Sequence, residues 1–280
     1  MDFLNIFYSI ISLSIPLLLA TCGGLISEYT GRMAVFLEGA VNLGAFLCFV
    51  FCVTTKNVYA GVFLAVFLSS VLFYFLAKLI EYFKLNPFII SLAINLLCTG
   101  AISFLSAQFF GTRGVLTSPL FNFDSVKIRE ITTLAGIIIF ALFVIFIFGT
   151  KTGLYFKICG KNEAFLESKK ISTKALRNSS WALAAFFATL AGCVFSLRLN
   201  SFVPSISSGT GWIALAIVFL GNKNIFLSAA FVFLFSAAQF FASNLQNFSS
   251  FKEIPSSILL SLPYLISLFC IFLKKNYEKE

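Results

Sequence analysis

Charged residues cut this chain into long apolar stretches. Nine charge-free runs, 3–27, 39–55, 57–77, 85–112, 131–150, 178–197, 199–222, 224–251 and 254–273, are each 17 to 28 residues long. A helix needs roughly 20 mostly apolar residues to cross a bilayer, so each run predicts a membrane segment. None alternates between polar and apolar positions: Gly136–Phe148 reads GIIIFALFVIFIF. Strands of a membrane barrel alternate over about ten residues, which excludes a barrel. The pattern predicts an all-α, polytopic helical membrane protein. It has about eight to nine transmembrane segments, including glycine-interrupted or re-entrant ones, and residues 1–280 form a single transmembrane domain.

Two connections between the runs are long. Residues 111–130 (GTRGVLTSPLFNFDSVKIRE) carry turn-forming Gly, Pro, Ser and Asn. Residues 150–180 are rich in lysine and hold a helix-capable stretch from Asn162 to Ile171. Asn162 is placed to cap it, with Glu163 in the first turn and Lys169 and Lys170 in the last, charges that suit the helix dipole. Such a helix is either a handle for a soluble partner or a basic anchor on anionic lipid.

Two hydrophobic segments are interrupted, one in each half of the chain. The first, 31–46, contains Glu38, Asn42 and three glycines; the second, 202–221, contains Pro204, several hydroxyl residues, Gly209 and Gly211. Paired breaks of this kind point to a solute route near the midplane, because a broken helix frees backbone polar groups that only protein or a watery cavity can satisfy.

Composition sharpens this picture. The chain is 59% hydrophobic and 11% charged, with 38 Phe and no His, and its mean hydropathy is +0.98. A soluble domain is about 25% charged, so a water-soluble globule is excluded. The first basic residue is Arg32; with no positive segment before the first apolar run, that run is expected to remain as a span rather than be cleaved as a signal.

The net charge is +9, and its distribution predicts orientation. With 150–180 in the cytoplasm, fourteen basic residues lie inside: Arg32, Lys78, Lys84, seven in 150–180, Lys223, Lys274, Lys275 and Lys279. Six lie outside: Lys56, Arg113, Lys127, Arg129, Arg198 and Lys252. Short cytoplasmic loops collect Lys and Arg. The expected arrangement is therefore a multi-pass protein of the cytoplasmic (inner) membrane, N-terminus outside and C-terminus cytoplasmic. The basic loops face anionic lipid, and no basic aromatic surface for nucleic acid is visible.

Candidate chemistry is sparse. No G-x-x-x-x-G-K-[ST] motif occurs, and without His there is no metal-ligand spacing or Ser/His pairing. An enzyme and a metal site are not expected. The seven cysteines are scattered, mostly within apolar runs, and read as small hydrophobes. Glu38 is the one ionisable residue closely flanked by apolar sequence on both sides. A charge at mid-span costs about 2.5–3.5 kcal/mol on insertion scales, so Glu38 needs a partner, a proton or a functional reason; near the inner end of its span, the alternative is that it snorkels or caps neighbouring backbone. Asn42 lies one turn further on the same face, Asn95 and Thr99 form a similar pair, and Gln108 and Gln239 invite the same two readings. All are solute contacts or interhelical glue.

Four collinear stretches resemble the permease subunits of ABC importers for simple sugars and nucleosides, within the branched-chain amino acid/ribose permease superfamily. They are Pro16–Ala20 with Gly23-Gly24-Leu-Ile-Ser-Glu28, Gly31, Leu37-Glu38-Gly39 and Gly44-Ala45-Phe46; Thr150-x-x-Gly153-Leu154-x-x-Lys157-x-x-Gly160-x-Asn162; Gly209-Thr-Gly211-Trp212-Ile-Ala-Leu-Ala216 through Gly221; and Leu262-Pro263-Tyr264. The chain departs from the family pattern at Glu163, Phe165-Leu166 and Lys170, where Pro, small residues and Gly are usual, and between Gly31 and Leu37.

The resemblance implies a transport subunit with no cofactor of its own. Its partners are an ABC ATP-binding subunit that uses ATP and Mg, a second permease (a paralogue or the same chain), and an extracytoplasmic substrate-binding protein. It places ATPase coupling at Gly153, Gly160, Asn162, Ala164 and Ile171 in the inner loop. The expected solute is small, polar and uncharged. A nucleoside comes first, because the GLISE…LEG form is closer to nucleoside-type permeases, and a simple sugar such as ribose next. Glu38, Asn42, Asn95, Thr99 and Trp212 are the candidate pathway residues, with Phe202 a further aromatic. A stand-alone secondary transporter coupled through Glu38, or a non-transporting assembly factor, are the rival expectations.

Overall fold

A computed structural model describes residues 3–245. They form ten helices: α1 (Phe3–Tyr29), α2 (Leu37–Thr55), α3 (Val58–Phe83), α4 (Pro87–Phe110), α5 (Ser125–Gly149), α6 (Lys151–Cys159), α7 (Glu163–Ser168), α8 (Thr173–Leu199), α9 (Thr210–Leu220) and α10 (Ile225–Leu245). Seven of these, α1–α5, α8 and α10, are long and apolar enough to cross a membrane, and α9 is a shorter apolar helix. The protein is polytopic and all-helical. The expected last span at 254–273, the Leu262-Pro263-Tyr264 motif and Cys270 lie outside the described residues.

The run 199–222 is not a continuous span. Leu199 ends α8, residues 200–209 are turns with a single bridge at Phe202, and helix resumes only at Thr210. The two long connections also shorten. Residues 125–130 already belong to α5, so the first runs from 111 to 124; the second contains the short helix α6 as well as α7.

Most helices are started by their own sequence. The side chains of Asn57, Asn86, Asp124, Thr150, Asn162, Ser172 and Asn224 accept from backbone amides two or three residues ahead, capping α3–α8 and α10. Each satisfies an amide that the helix itself leaves without a partner. Two helices lack such a cap: α2 follows Phe36 and α9 follows Gly209, and neither residue makes a side-chain cap bond. These are the two interrupted segments.

Helices α1, α2 and α8 form the centre, with α3 packed on α2 and α8, and α5, α9 and α10 on α1. Small residues let the central backbones approach. A Cβ at Gly44 would lie 2.5 Å from Thr189 Cα, and one at Gly192 would collide with Val41 and Ala45 of α2. Close backbone contact through small residues is the usual basis of helix association in lipid. Helix α8 turns Asn178, Ser180, Thr189 and Ser196 inward, and Thr189 bonds Ser69 of α3 at 2.7 Å. Helices α3, α4 and α5 instead expose Phe63, Phe67, Leu96, Leu97, Ile138 and Leu142, the outer surface expected against lipid tails.

Pro16 sits within α1 and has no N–H to give the carbonyl four residues back, that of Ser12. Arg198 of α8 fills the vacancy, donating to Ser12 O at 2.7 Å, to Thr132 Oγ at 2.9 Å and to Thr133 Oγ at 3.1 Å. One guanidinium thus ties α1, α5 and α8 together at one end of the bundle. Beside it, Phe202 and Leu116 exchange both backbone bonds (2.8 and 3.0 Å) and Asn200 bonds both backbone groups of Phe123, folding loop 111–124 over this end.

At the opposite end the connections 30–36, 84–86, 150–172 and 221–224 converge. Arg32 pairs with Glu81 (3.2 Å) and Lys223 with Glu28 (2.8 Å), and Gly160 N–H donates to Tyr29 O at 3.0 Å. Arg32, Lys78, Lys84, the seven basic residues of 150–180 and Lys223 therefore share one end, as their loop assignment predicts.

Candidate functional site

The site is built where α2 and α9 begin. A helix start has unpaired amides and a partial positive charge, and at α9 these are met from another helix. Glu38 Oε2 accepts from Gly211 N–H at 2.8 Å, and Oε1 accepts from Gly209 N–H at 2.9 Å and from the Ser207 hydroxyl. Asn42, one turn along α2, donates to Ser207 Oγ at 2.7 Å and accepts from Ser207 N–H at 3.2 Å. The approach needs glycine: a Cβ at Gly211 would overlap the Glu38 backbone. Gly209 also takes φ +86°, the left-handed region that glycine enters at least cost.

The start of α2 is held in the same way by α4. Phe36 N–H donates to Ser91 Oγ at 2.9 Å and Gly39 N–H to Asn95 Oδ1 at 2.7 Å, while Asn95 Nδ2 donates to Val35 O at 2.8 Å. The non-helical chain 30–36 is itself enclosed: Trp181 Nε1 donates to Arg32 O at 3.1 Å, and Phe36 lies against Trp181 and Phe73. Side chains of α4 thus cap α2, and α2 caps α9. Irregular backbone at membrane depth is tolerated only when so enclosed.

Of the predicted pathway residues, Glu38, Asn42 and Asn95 belong to this relay. Thr99 is exposed and bonds back to Asn95 O within α4 (3.0 Å). Trp212 is 46% exposed on α9. Gln108 is exposed near the end of α4. Phe202 is fully buried against Phe46 (5.4 Å between ring centres), so it presents no surface to a solute. Ser91 and Ser207 were not singled out in the sequence; serines are common, and nothing local tells which one will meet a helix start 55 or 169 residues away.

On the far side of the α9 break lies a cavity of about 400 Å³ between α1, α8 and α10. Its polar groups are Ser207, Ser208, Thr210 and Gln239, and Phe195 and Phe235 are its aromatic residues. Among the described residues, none that lines it is charged. Ser207 is shared, facing the cavity and binding Glu38.

At the other end α6 and α7 form a small platform. Asn162 caps α7 through Phe165 N–H (3.1 Å). The helix is shorter than its pattern suggests: Ile171 N–H returns to Leu166 O (2.9 Å), and Lys170 takes φ 58°. That closing turn puts Lys169, Lys170 and Ile171 beyond the helix end. Leu166 alone is buried, and Ala164 is exposed. Glu163 pairs with Arg177 of α8, whose Nε donates to Thr30 O at 3.4 Å. Gly160 packs on the chain after α1, and a Cβ there would strike Tyr29 O and lie 2.9 Å from Gly31 N. Gly153 similarly abuts the backbone of Phe146 and Ile147 in α5. Burial pushes the Cys159 thiol above its ordinary range, with Arg177 opposing.

Spanning helices around a half-helix that starts inside the bundle, with a short exposed helix at one end, define a multi-pass membrane permease. The chain belongs to the family described as "Branched-chain amino acid transport system / permease component", which matches residues 6–270. It is similar to the guanosine ABC transporter permease protein NupQ of Bacillus subtilis, with 26% identity over 285 residues covering 91% of this chain and 87% of that one. The nucleoside ABC transporter permease protein NupC of Lactococcus lactis is 24% identical over 284 residues, 93% and 89% of the two chains. An uncharacterized protein of Mycoplasma pneumoniae is 28% identical over 276 residues, 90% and 86%. No solved structure matches the chain significantly. The protein is thus an ABC transporter permease, a non-catalytic subunit that works with ATP-binding subunits. That membership displaces the reading as a stand-alone ion-coupled carrier.

Proposed function

We propose that this chain is a membrane subunit of an ATP-driven importer for a small, neutral, hydroxyl-bearing solute, most specifically a nucleoside, with a simple sugar such as ribose next. The observation that carries this reading is the occupied helix start: Glu38 takes the amides of α9. A half-helix N-terminus is otherwise a natural seat for an anionic solute group. With that seat filled by the protein's own carboxylate, an uncharged solute is the better fit. The neighbouring cavity of about 400 Å³ supports it, its described lining combining hydroxyls, an amide and two phenyl rings without a formal charge. A nucleoside uses aromatic faces for its base and hydroxyl or amide partners for its ribose. Two relatives named for guanosine and nucleoside transport favour the same class.

In this reading the α6–α7 end is cytoplasmic, since it gathers the basic loops, with the N-terminus outside and the C-terminus inside. The binding protein delivers solute at the end covered by residues 111–124. An ATP-binding subunit, using ATP and Mg, engages α7 and the surface around Gly153, Gly160, Asn162, Ala164 and Ile171. A second permease, identical or paralogous, completes the pore. Thr99 and Trp212 are the exposed candidates for solute contact, whereas Glu38, Asn42 and Asn95 shape the route by holding the two breaks.

The test is uptake by the complete transporter reconstituted with its binding protein. ATP-dependent accumulation of a labelled purine nucleoside, competed by other nucleosides but not by ribose, is expected. Uptake of ribose with no nucleoside uptake would assign the sugar instead.

A further inference from the structure

A second cavity, of about 500 Å³, opens at the α6–α7 end between the first turns of α4 and α8. Among the described residues, four cations line it, Arg32, Lys84, Lys174 and Arg177, against one acid, Glu81. Glu81 is already committed to Arg32 (3.2 Å). The helix starts add charge of the same sign. Lys174 lies in the first turn of α8, and neither α4 nor α8 has an acidic residue in its first turn; Lys84, which closes α3, lines the same cavity. Cations are unfavourable at helix N-termini, where anions are stabilised. The wall is also built rather than incidental: Arg32 is only 6% exposed, donates to Asn178 Oδ1 at 3.1 Å and lies over the Trp181 ring. Burial holds the Arg32 guanidinium below its ordinary value; Glu81 opposes that shift and Arg177 reinforces it.

The rim tells which anion reaches this place. Tyr82, Phe83 and Leu85 beside the cavity are 80%, 61% and 43% exposed. Aromatic and apolar side chains exposed at a helix end mark the membrane–water interface, the depth of lipid phosphates. We propose that this cavity binds the phosphate of an anionic phospholipid from the leaflet at the α6–α7 end, through Lys84, Lys174 and Arg177. Basic pockets between spanning helices hold such head groups. Because Arg177 also pairs with Glu163 of α7 and bonds Thr30 O, the bound phosphate shares the residue that fastens α7 to the bundle. Anionic lipid therefore tunes the grip of the ATP-binding subunit.

The experiment is native mass spectrometry of the complete transporter in phosphatidylcholine nanodiscs titrated with phosphatidylglycerol. Lipid retention is the readout, so the result is independent of which solute is carried. Lys84 and Lys174 are exposed, and the Lys84→Gln/Lys174→Gln variant should fold normally. It should bind its tightest phosphatidylglycerol about 30-fold more weakly, the effect of two basic residues at a charged surface. Lys84→Arg/Lys174→Arg should restore binding. Unchanged retention in the glutamine variant would overturn the proposal. So would displacement of the lipid by inorganic phosphate at equal concentration, which would make this a free-phosphate site. Loss of the ATP-binding subunit with lipid still bound would instead give the cavity to that subunit.

Discussion

The amide of Gly211 donates to Glu38 Oε2 at 2.8 Å, linking the starts of two helices that are 173 residues apart in the chain. Neither helix has a capping side chain of its own, so each depends on a neighbour. Hydrogen bonds to a charged group are worth about 1.5–3 kcal/mol each, enough for three of them to offset the cost of a carboxylate at this depth. Glu38 thereby acts as a structural joint between α2 and α9, and its carboxylate oxygens are taken by protein donors.

Glu38→Gln puts an NH₂ group where amides and a hydroxyl now donate, so at least one of the three bonds is lost. Uptake should fall at least about tenfold, which requires only about 1.4 kcal/mol, while the amount of protein in the membrane stays near normal. Glu38→Asp should fall between the two. Full activity of the glutamine variant would mean that α9 does not need this cap.

Gly211→Val should be more damaging than Gly100→Val. A side chain at 211 has no room against the Glu38 backbone, whereas one at Gly100 of α4 meets open space. Uptake assays at matched expression separate the two. Equal loss would contradict the close approach of α2 and α9.

Much of this architecture is legible in the sequence. Charge-free runs locate the spans because lipid tolerates few charges, and the glycines at 209 and 211 mark the broken segment because only an interrupted helix needs them there. Asn162 identifies the start of α7, since its cap is local. Longer-range features are not legible. Nothing near Ser91, Asn95 or Ser207 shows that each meets a helix start brought to it by packing. The end of α7 is misplaced because the turn at Lys170 depends on Leu166 being buried. The run 199–222 has the length of a span, yet residues 200–209 form turns, with Phe202 tied to Leu116.

Gly160→Val should leave the protein inserted but weaken the link between ATP hydrolysis and transport. The new side chain pushes α6 away from Tyr29 and Gly31. Cys159 reports the same displacement: it is buried, and burial raises its thiol pKa, so alkylation of the native protein is slow. In the variant its modification, located by peptide mass spectrometry, should accelerate about tenfold, the effect of about 1.4 kcal/mol of easier opening. Unchanged reactivity together with coupled transport would count against this contact as the coupling joint.

Pro16 and Arg198 should be energetically coupled. Arg198→Met leaves the Ser12 carbonyl unpartnered while residue 16 is proline, but in a Pro16→Ala background the helix supplies its own N–H. Thermal stability of the four proteins should give a coupling of about 0.5–1.5 kcal/mol, the worth of one net hydrogen bond. Strict additivity would show that Arg198 does not serve the proline gap.

The relay from α4 through α2 to α9 is tested most directly by amide hydrogen exchange over residues 207–213 in the detergent-purified transporter. The Gly209 and Gly211 amides should be protected in the native protein and lose that protection in Glu38→Gln, with the rest of α9 less affected. Equal protection of both amides in the two proteins would contradict the capping of α9 by Glu38.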